Sequence, residues 1–193
     1  MQQVVDFILE IDKLKRVTRK IRPLGLDRYE NPAEHSWQIA MLASSLAPHA
    51  PPSIDLSRVI AMLLVHDIGE IDAGDTFFFA EDSGAKSKER ACVERIFALL
   101  PEPQRSAFLA LWIELDENET AEARFAHAVD RAMPVLLNLA NHGQSWRENG
   151  VSHAQVVGRV GPPIRAGCPA LWAHIEARLD EALRDGWFGT RER

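Results

Sequence analysis

VIAMLLVHDIGEIDAGD, residues 59–75, begins as an unbroken apolar run and ends in one histidine, one glutamate and three aspartates. With Asp55 as an N-cap, the spacing predicts a helix from Leu56 to about Glu70, with Gly74 as its stop. VIAMLLV is apolar on all sides, so this helix is expected to be central and buried. Acids at this density repel one another, and Asp67 follows directly on residues that must pack. A divalent cation resolves that conflict by turning repulsion into ligation. The plainer alternative is a helix-end histidine beside a solvated acid, with Asp72 and Asp75 as loop acids, and the stretch alone fits both. On a helix His66 and Glu70, four apart, share a face, whereas Asp67 points about 100° from His66. His66 and Asp67 therefore converge on one ion only where the helix end frays.

The rest of the chain reads as helices around this one. Val4, Val5, Ile8, Leu9, Ile11 and Leu14 form an apolar stripe at helical spacing, in a helix that ends before Pro23 and Gly25. Asn31, Pro32 and Glu34 form an N-cap, a first-position proline and the third-position acid of a capping box, so a helix is expected to run from there to about Leu46. Amphipathic helices follow over 86–100 and 103–115, after a loop at 76–85. Thr120 caps a long helix reaching about Asn141. A loop at 142–150, a short helix over 152–160 and a last helix over 170–183 complete the reading. No strand run, repeat or linker stands out. The expectation is an all-α fold with residues 1–193 as one domain.

Composition narrows the partners. The formal net charge of −6 argues against a nucleic-acid polymer, whose phosphates demand a basic surface, but not against a small phosphorylated ligand. Two cysteines, Cys92 and Cys168, lack paired spacing, which suits a reducing compartment. Residues 1–20 lack the positive-then-apolar order of a signal peptide, and no window approaches the roughly 18 apolar residues of a membrane span. The expected location is cytoplasmic, without membrane association.

Two further positions add to the acids of 66–75. His35 sits in the first turn of the capped helix. Asp130, in HAVDRAMPVLLN, has apolar neighbours that suggest burial, and a buried carboxylate needs a partner. Pro134, four residues later, cannot donate to the Asp130 carbonyl, so local distortion is expected. A surface Asp130–Arg131 pair with a simple kink is the alternative.

The order His35, His66-Asp67, Asp130, carried by AEHSW, HDIGEIDAGD and HAVDRAMPVLLN, resembles the HD superfamily of metal-dependent phosphohydrolases, and within it the compact branch that contains 5′-deoxynucleotidases. The resemblance spans about Leu14 to Asn141. It implies an HD-type helical bundle in which His35, His66, Asp67 and Asp130 ligate one metal ion. Two imidazoles and two carboxylates suit a divalent transition metal (Mn, Co, Zn, Fe or Ni) better than Mg²⁺ or Ca²⁺. The implied reaction is hydrolysis of a deoxyribonucleoside 5′-monophosphate, probing a small nucleotide rather than a polymer. Glu70 is the natural acid/base beside the attacking water. Asp75 matches the family position near the substrate, as general acid or sugar contact, and Arg19 the position that clamps the phosphate. Lys20 departs from the family, whose deoxynucleotidases carry an aromatic there. The resemblance also implies a homodimer.

His127, three before Asp130, is a candidate to support the ligands. Trp37 is expected to pack in the core, and His49, His153 and His174 to be surface residues. Two rivals remain: the same centre acting on a nucleoside triphosphate, an alarmone or a sugar phosphate, and a non-catalytic module stapled by a metal. Glu70 and Arg19 favour catalysis, because a structural metal has a closed shell and no need of them.

Overall fold

The computed structural model describes the chain except residues 53, 76, 77, 80–84 and 190–193 and the side chains of 85–87. Among the described residues every regular element is helical. α1 (Gln2–Ile11) passes into a 3₁₀ turn over Asp12–Arg16, and the chain then runs without helix to Asn31. Its apolar stripe is turned outward: Phe7 and Leu14 are buried, whereas Val4, Val5, Ile8 and Leu9 are exposed.

α2 (Pro32–Ser45) starts at the expected capping box, with Asn31 accepting from the Glu34 N–H and the Glu34 carboxylate accepting from the Asn31 N–H. Trp37, expected in the core, is 65% exposed on its outer face. α3 (Leu56–Val65) is capped by Asp55, which accepts from the Arg58 N–H. It is shorter than expected and not buried all round. Val59, Met62, Leu63 and Val65 face the core, and Leu64 is half exposed. The chain leaves α-helix at His66 because residues 66–71 tighten to three-residue bonds, Ile68 N–H to Val65 C=O and Glu70 N–H to Asp67 C=O. Gly69 leaves room for the chain at Glu89 to pass close behind this turn: a Cβ there would lie 2.3 Å from Glu89 Cγ and 3.0 Å from the Glu89 carbonyl oxygen. A single turn, α4 (Glu70–Ala73), ends at Gly74, whose φ of 76° suits glycine.

α5 (Ala85–Phe97) and α6 (Gln104–Glu117) follow. Of the expected 76–85 loop, Phe78 and Phe79 form a half-buried turn, and most of the remainder lies outside the described residues. α7 (Ala121–Ala140) begins at Thr120, which accepts from the Ala123 N–H, and carries Pro134 without ending there. It packs against α2, α3 and α6, so it is the axis of the bundle. The expected loop after it contains a short helix, α8 (Gln144–Glu148). α9 (His153–Gly167) runs past its expected end at Val160 and through Pro162 and Pro163. Its buried stripe of Val156, Val160 and Ile164 continues across the prolines, and that packing on α7 outweighs the lost hydrogen bonds. α10 (Pro169–Arg184) closes the bundle against α7 and α9. Buried side chains from Phe7 to Ala182 form one contiguous core. Cys92 and Cys168 are buried and free. No helix among the described residues is long and apolar enough to cross a membrane.

Candidate active site

Three elements deliver side chains to one buried point. α2 supplies His35 from its first turn, α3 supplies His66 from its C-terminal end, and α7 supplies Asp130 from its middle. One donor atom from each lies within 4.8 Å of the other two. His35 Nε2 is 2.9 Å from Asp130 Oδ1, and His66 Nε2 is 3.8 Å from the same oxygen. The His66 ring is oriented by its other nitrogen. Nδ1 is 2.8 Å from the Leu63 carbonyl, which can only accept, so Nδ1 carries a proton and, in the neutral ring, Nε2 presents a lone pair. The Trp112 indole N–H donates to the His66 carbonyl at 3.2 Å and pins the turn.

Asp67 stands beside this trio. Its Oδ1 is 2.9 Å from His66 Nε2, and its Oδ2 accepts from Arg19 Nη1 at 2.7 Å. The tight turn at 66–69 accomplishes what a regular helix would not, bringing adjacent His and Asp side chains together. Arg19 also approaches Glu70 at 3.8 Å and Asp75 at 3.7 Å, and its Nε donates to Glu30 at 3.2 Å. The backbone holds Arg19 there: its N–H donates to the Glu30 carbonyl, and the Glu30 N–H to that of Ile21.

Glu30 is a site residue the sequence reading missed. It is 2% exposed, and its Oε1 lies 3.4 Å from His35 Nδ1 as well as against Arg19. In the sequence it is only an acid directly before the Asn31 cap of the helix that carries His35, which by itself does not set it apart from a surface acid. An imidazole with a carboxylate behind one nitrogen and an open centre before the other is the usual arrangement of a metal-binding histidine.

Electrostatics follow the geometry. Burial alone would raise the Asp67 carboxyl, but His66 and Arg19 overcome it and hold it below its ordinary value. Asp130 is likewise held well below, against burial, by Arg131, His35 and His66. His66 is raised, its burial outweighed by Asp67. Burial and the Asp67 carboxylate push Glu70 up from 4.5 to about 10. Burial also raises Asp75.

The donor set fits a small divalent ion. Donors each about 2.1 Å from one ion stand on the order of 3–4 Å apart, close to the 2.9 and 3.8 Å that separate the two histidine nitrogens from Asp130 Oδ1. Among the described residues, His66 Nε2 and Glu70 Oε2, which both face the centre, are buried without a hydrogen-bond partner. A nitrogen lone pair left unsatisfied amid carboxylates is what a cation would use.

The centre opens into a cavity of about 570 Å³ lined by Arg19, Lys20, Glu70, Asp75, Phe78 and Arg131 among others. His127 reaches the cavity too, but its Nε2 donates to the Leu115 carbonyl at 2.8 Å, which holds the ring outside the trio. Asp72 is half exposed and pairs with Arg95 instead. His49 and His174 are exposed, as expected, whereas His153 is half-buried against the Phe188 ring.

A helical bundle that gathers two histidines and buried carboxylates at the foot of an open cavity defines a metal-centred protein of hydrolase type. The chain belongs to the HD-domain family, whose model matches residues 11–172. It is similar to a 5′-deoxynucleotidase HDDC2 of Xenopus laevis, 28% identical over 142 residues that cover 70% of this chain and 67% of that protein. A 5′-deoxynucleotidase of Erwinia tasmaniensis is 30% identical over 131 residues, covering 62% of this chain and 64% of the relative. The chain thus spans about two thirds of the length of the curated relatives it matches. Its fold matches the crystal structure of a predicted metal-dependent phosphohydrolase from Magnetospirillum magnetotacticum, at 43% identity, a TM-score of 0.91 and 97% coverage of both chains. The PH0347 protein of Pyrococcus horikoshii, at 22% identity and a TM-score of 0.63 over 93% of this chain and 98% of that one, shares the fold.

Proposed function

We propose that this HD-domain protein is a metal-dependent phosphomonoesterase that removes the 5′-phosphate of deoxyribonucleoside monophosphates, releasing nucleoside and phosphate. The observation that carries the reading is the meeting of His35, His66 and Asp130 beside a buried Glu70 and Arg19 at the foot of the cavity. The names of the relatives supply the substrate class.

We assign His35, His66, Asp67 and Asp130 as ligands of one divalent transition ion. Asp67 can serve with Oδ1 while Oδ2 keeps Arg19. When bound, such an ion polarises the phosphoryl group and lowers the pKa of water. Glu70 then takes up the proton of the attacking water at its unpartnered Oε2. Its elevated pKa makes it a competent proton acceptor once a cation draws it into the ionised form. Asp75, also raised, is suited to hand a proton to the departing 5′-oxygen or to contact the sugar. Arg19 orients the phosphate while holding Asp67 in place. Glu30, 3.4 Å behind His35 Nδ1, is placed to orient that ring.

The reading takes residues 1–193 as one domain, working in the cytoplasm as a homodimer, the commonest symmetric state; light scattering tests the last. Lys20 favours a second reading. It lies over the Tyr29 ring at 5.7 Å and puts a cation where an aromatic would stack on a base. A different phosphorylated small molecule would use the same centre.

The deciding experiment is phosphate release from deoxy- and ribonucleoside monophosphates, a triphosphate and a sugar phosphate, using metal-stripped protein resupplied with Mn²⁺, Co²⁺, Zn²⁺ or Mg²⁺. Metal-dependent release confined to the deoxynucleoside monophosphates is the expected result. Release from another compound in preference moves the substrate, and no release from metal-loaded protein overturns the reading.

A further inference from the structure

We propose that Arg131 is a second anion-binding arginine, holding the substrate phosphate from the Asp130 side of the centre while Arg19 works from the Asp67 side. The inference rests on the phosphohydrolase reading above and deepens it.

Charge creates the need. Glu30, Asp67, Glu70 and Asp75 each have an oxygen within 3.8 Å of the Arg19 guanidinium, and Asp130 lies beyond. The single charge of Arg19 is therefore shared among carboxylates. A phosphate monoester carries close to two negative charges near neutrality. Even with a divalent ion in place and a proton on Asp75, the four remaining carboxylates outnumber the positive charges of the ion and Arg19, and an incoming dianion is repelled unless another cation faces it.

Arg131 is placed to be that cation. Its side chain is 30% exposed and lines the cavity. Its Nε lies 3.6 Å from Asp130 Oδ2, while the other oxygen of Asp130 faces His35 and His66. Among the described residues this is its shortest approach to a carboxylate, and it is longer than a hydrogen bond. The guanidinium carbon sits 4.0 Å from the centre of the Phe78 ring. Arg159 Nη1 donates to the Phe78 carbonyl at 2.7 Å and steadies that residue. Stacking occupies the face of the guanidinium and leaves its in-plane N–H fork for an acceptor. An arginine that served only to neutralise Asp130 would be expected to close on it.

The test uses metal-loaded wild type, Arg131→Met and Arg131→Lys, with bound metal measured in each. Calorimetry reads the affinity for inorganic phosphate, and kinetics separate KM from kcat. Arg131→Met is expected to keep its metal and weaken phosphate binding by about 10–100-fold, the range for a lost charge-assisted pair. KM for the monophosphate rises with it, and Arg131→Lys recovers part of the affinity. Equal phosphate affinity in wild type and Arg131→Met overturns the proposal. So does a fall in bound metal that accounts for the weaker binding, and so does a wild type that binds no phosphate at millimolar concentration. Should Arg131→Met not fold, Arg131→Gln carries the same readout. Phosphate binding is read without turnover. A protein that splits no deoxynucleotide yet loses phosphate affinity in Arg131→Met removes the nucleotidase reading and leaves this one standing.

Discussion

Asp67 and Glu70 lie three residues apart, share Arg19 as a neighbour, and are driven in opposite directions by what else surrounds them. Asp67 faces His66 and Arg19 and stays ionised, while burial and the Asp67 charge hold a proton on Glu70. Their substitutions are expected to separate accordingly. Asp67→Ala loses metal and turnover together, whereas Glu70→Gln retains metal and loses turnover by about 10²–10⁴-fold. Elemental analysis beside the phosphate assay distinguishes them, and full metal occupancy in Asp67→Ala would remove Asp67 from the ligands. Glu70 also sets a pH dependence in the metal-free protein. Its folded pKa is raised, so folding binds a proton that unfolding releases. The stability it contributes is present below about pH 4.5 and is lost as pH rises toward 10. Urea midpoints of metal-free wild type are expected to fall relative to Glu70→Gln between pH 5 and 9, and parallel curves would refute this.

At the scale of elements, the centre depends on where helices begin and end. His35 occupies the first turn of α2, whose start is set by the Asn31–Glu34 capping box. Asn31→Ala is expected to cost about 1 kcal/mol of stability and to weaken metal affinity, because the His35 turn loosens with the cap. Thermal melts together with a metal titration measure the two effects, and an unchanged metal affinity would show that Glu30 alone suffices to hold the ring. The turn at 66–69 is equally decisive. A regular helix through Glu70 would have sent Asp67 away from His66, and the missing side chain of Gly69 lets Glu89 pass close behind the tightened turn.

The whole molecule is organised around α7, which carries Asp130 along the axis while α2 and α3 bring the histidines to it. A metal ion held there would tie separate helices together, and its removal is expected to be felt globally. An ion at about a thousand times its dissociation constant adds about 4 kcal/mol to the folded state. For a chain of this size that corresponds to a Tm lowered on the order of 10 °C upon chelation. Differential scanning fluorimetry with and without chelator, followed by metal add-back, checks it. A melt indifferent to chelator would mean that the helices hold the site without the ion.

Helical periodicity, the caps at Asn31, Asp55 and Thr120, and the order of His35, His66-Asp67 and Asp130 were all legible along the chain, because they depend on neighbours within a few residues or on short motifs. The tight turn after Val65, the helix running through Pro162 and Pro163, and the outward stripe of α1 were not. Each is decided by a surface that arrives from elsewhere in the chain: Glu89 against Gly69, α7 against α9, and a core that accepts Phe7 and Leu14 but leaves Ile8 and Leu9 outside. Glu30 escaped notice, and Arg131 was read only as a possible surface partner of Asp130, for the same reason. Nothing local distinguishes an acid before a helix cap, or an arginine after an aspartate, from ordinary surface charge. Their meaning comes from the long-range packing that sets Glu30 behind His35 and lays Arg131 on Phe78 at the edge of the cavity.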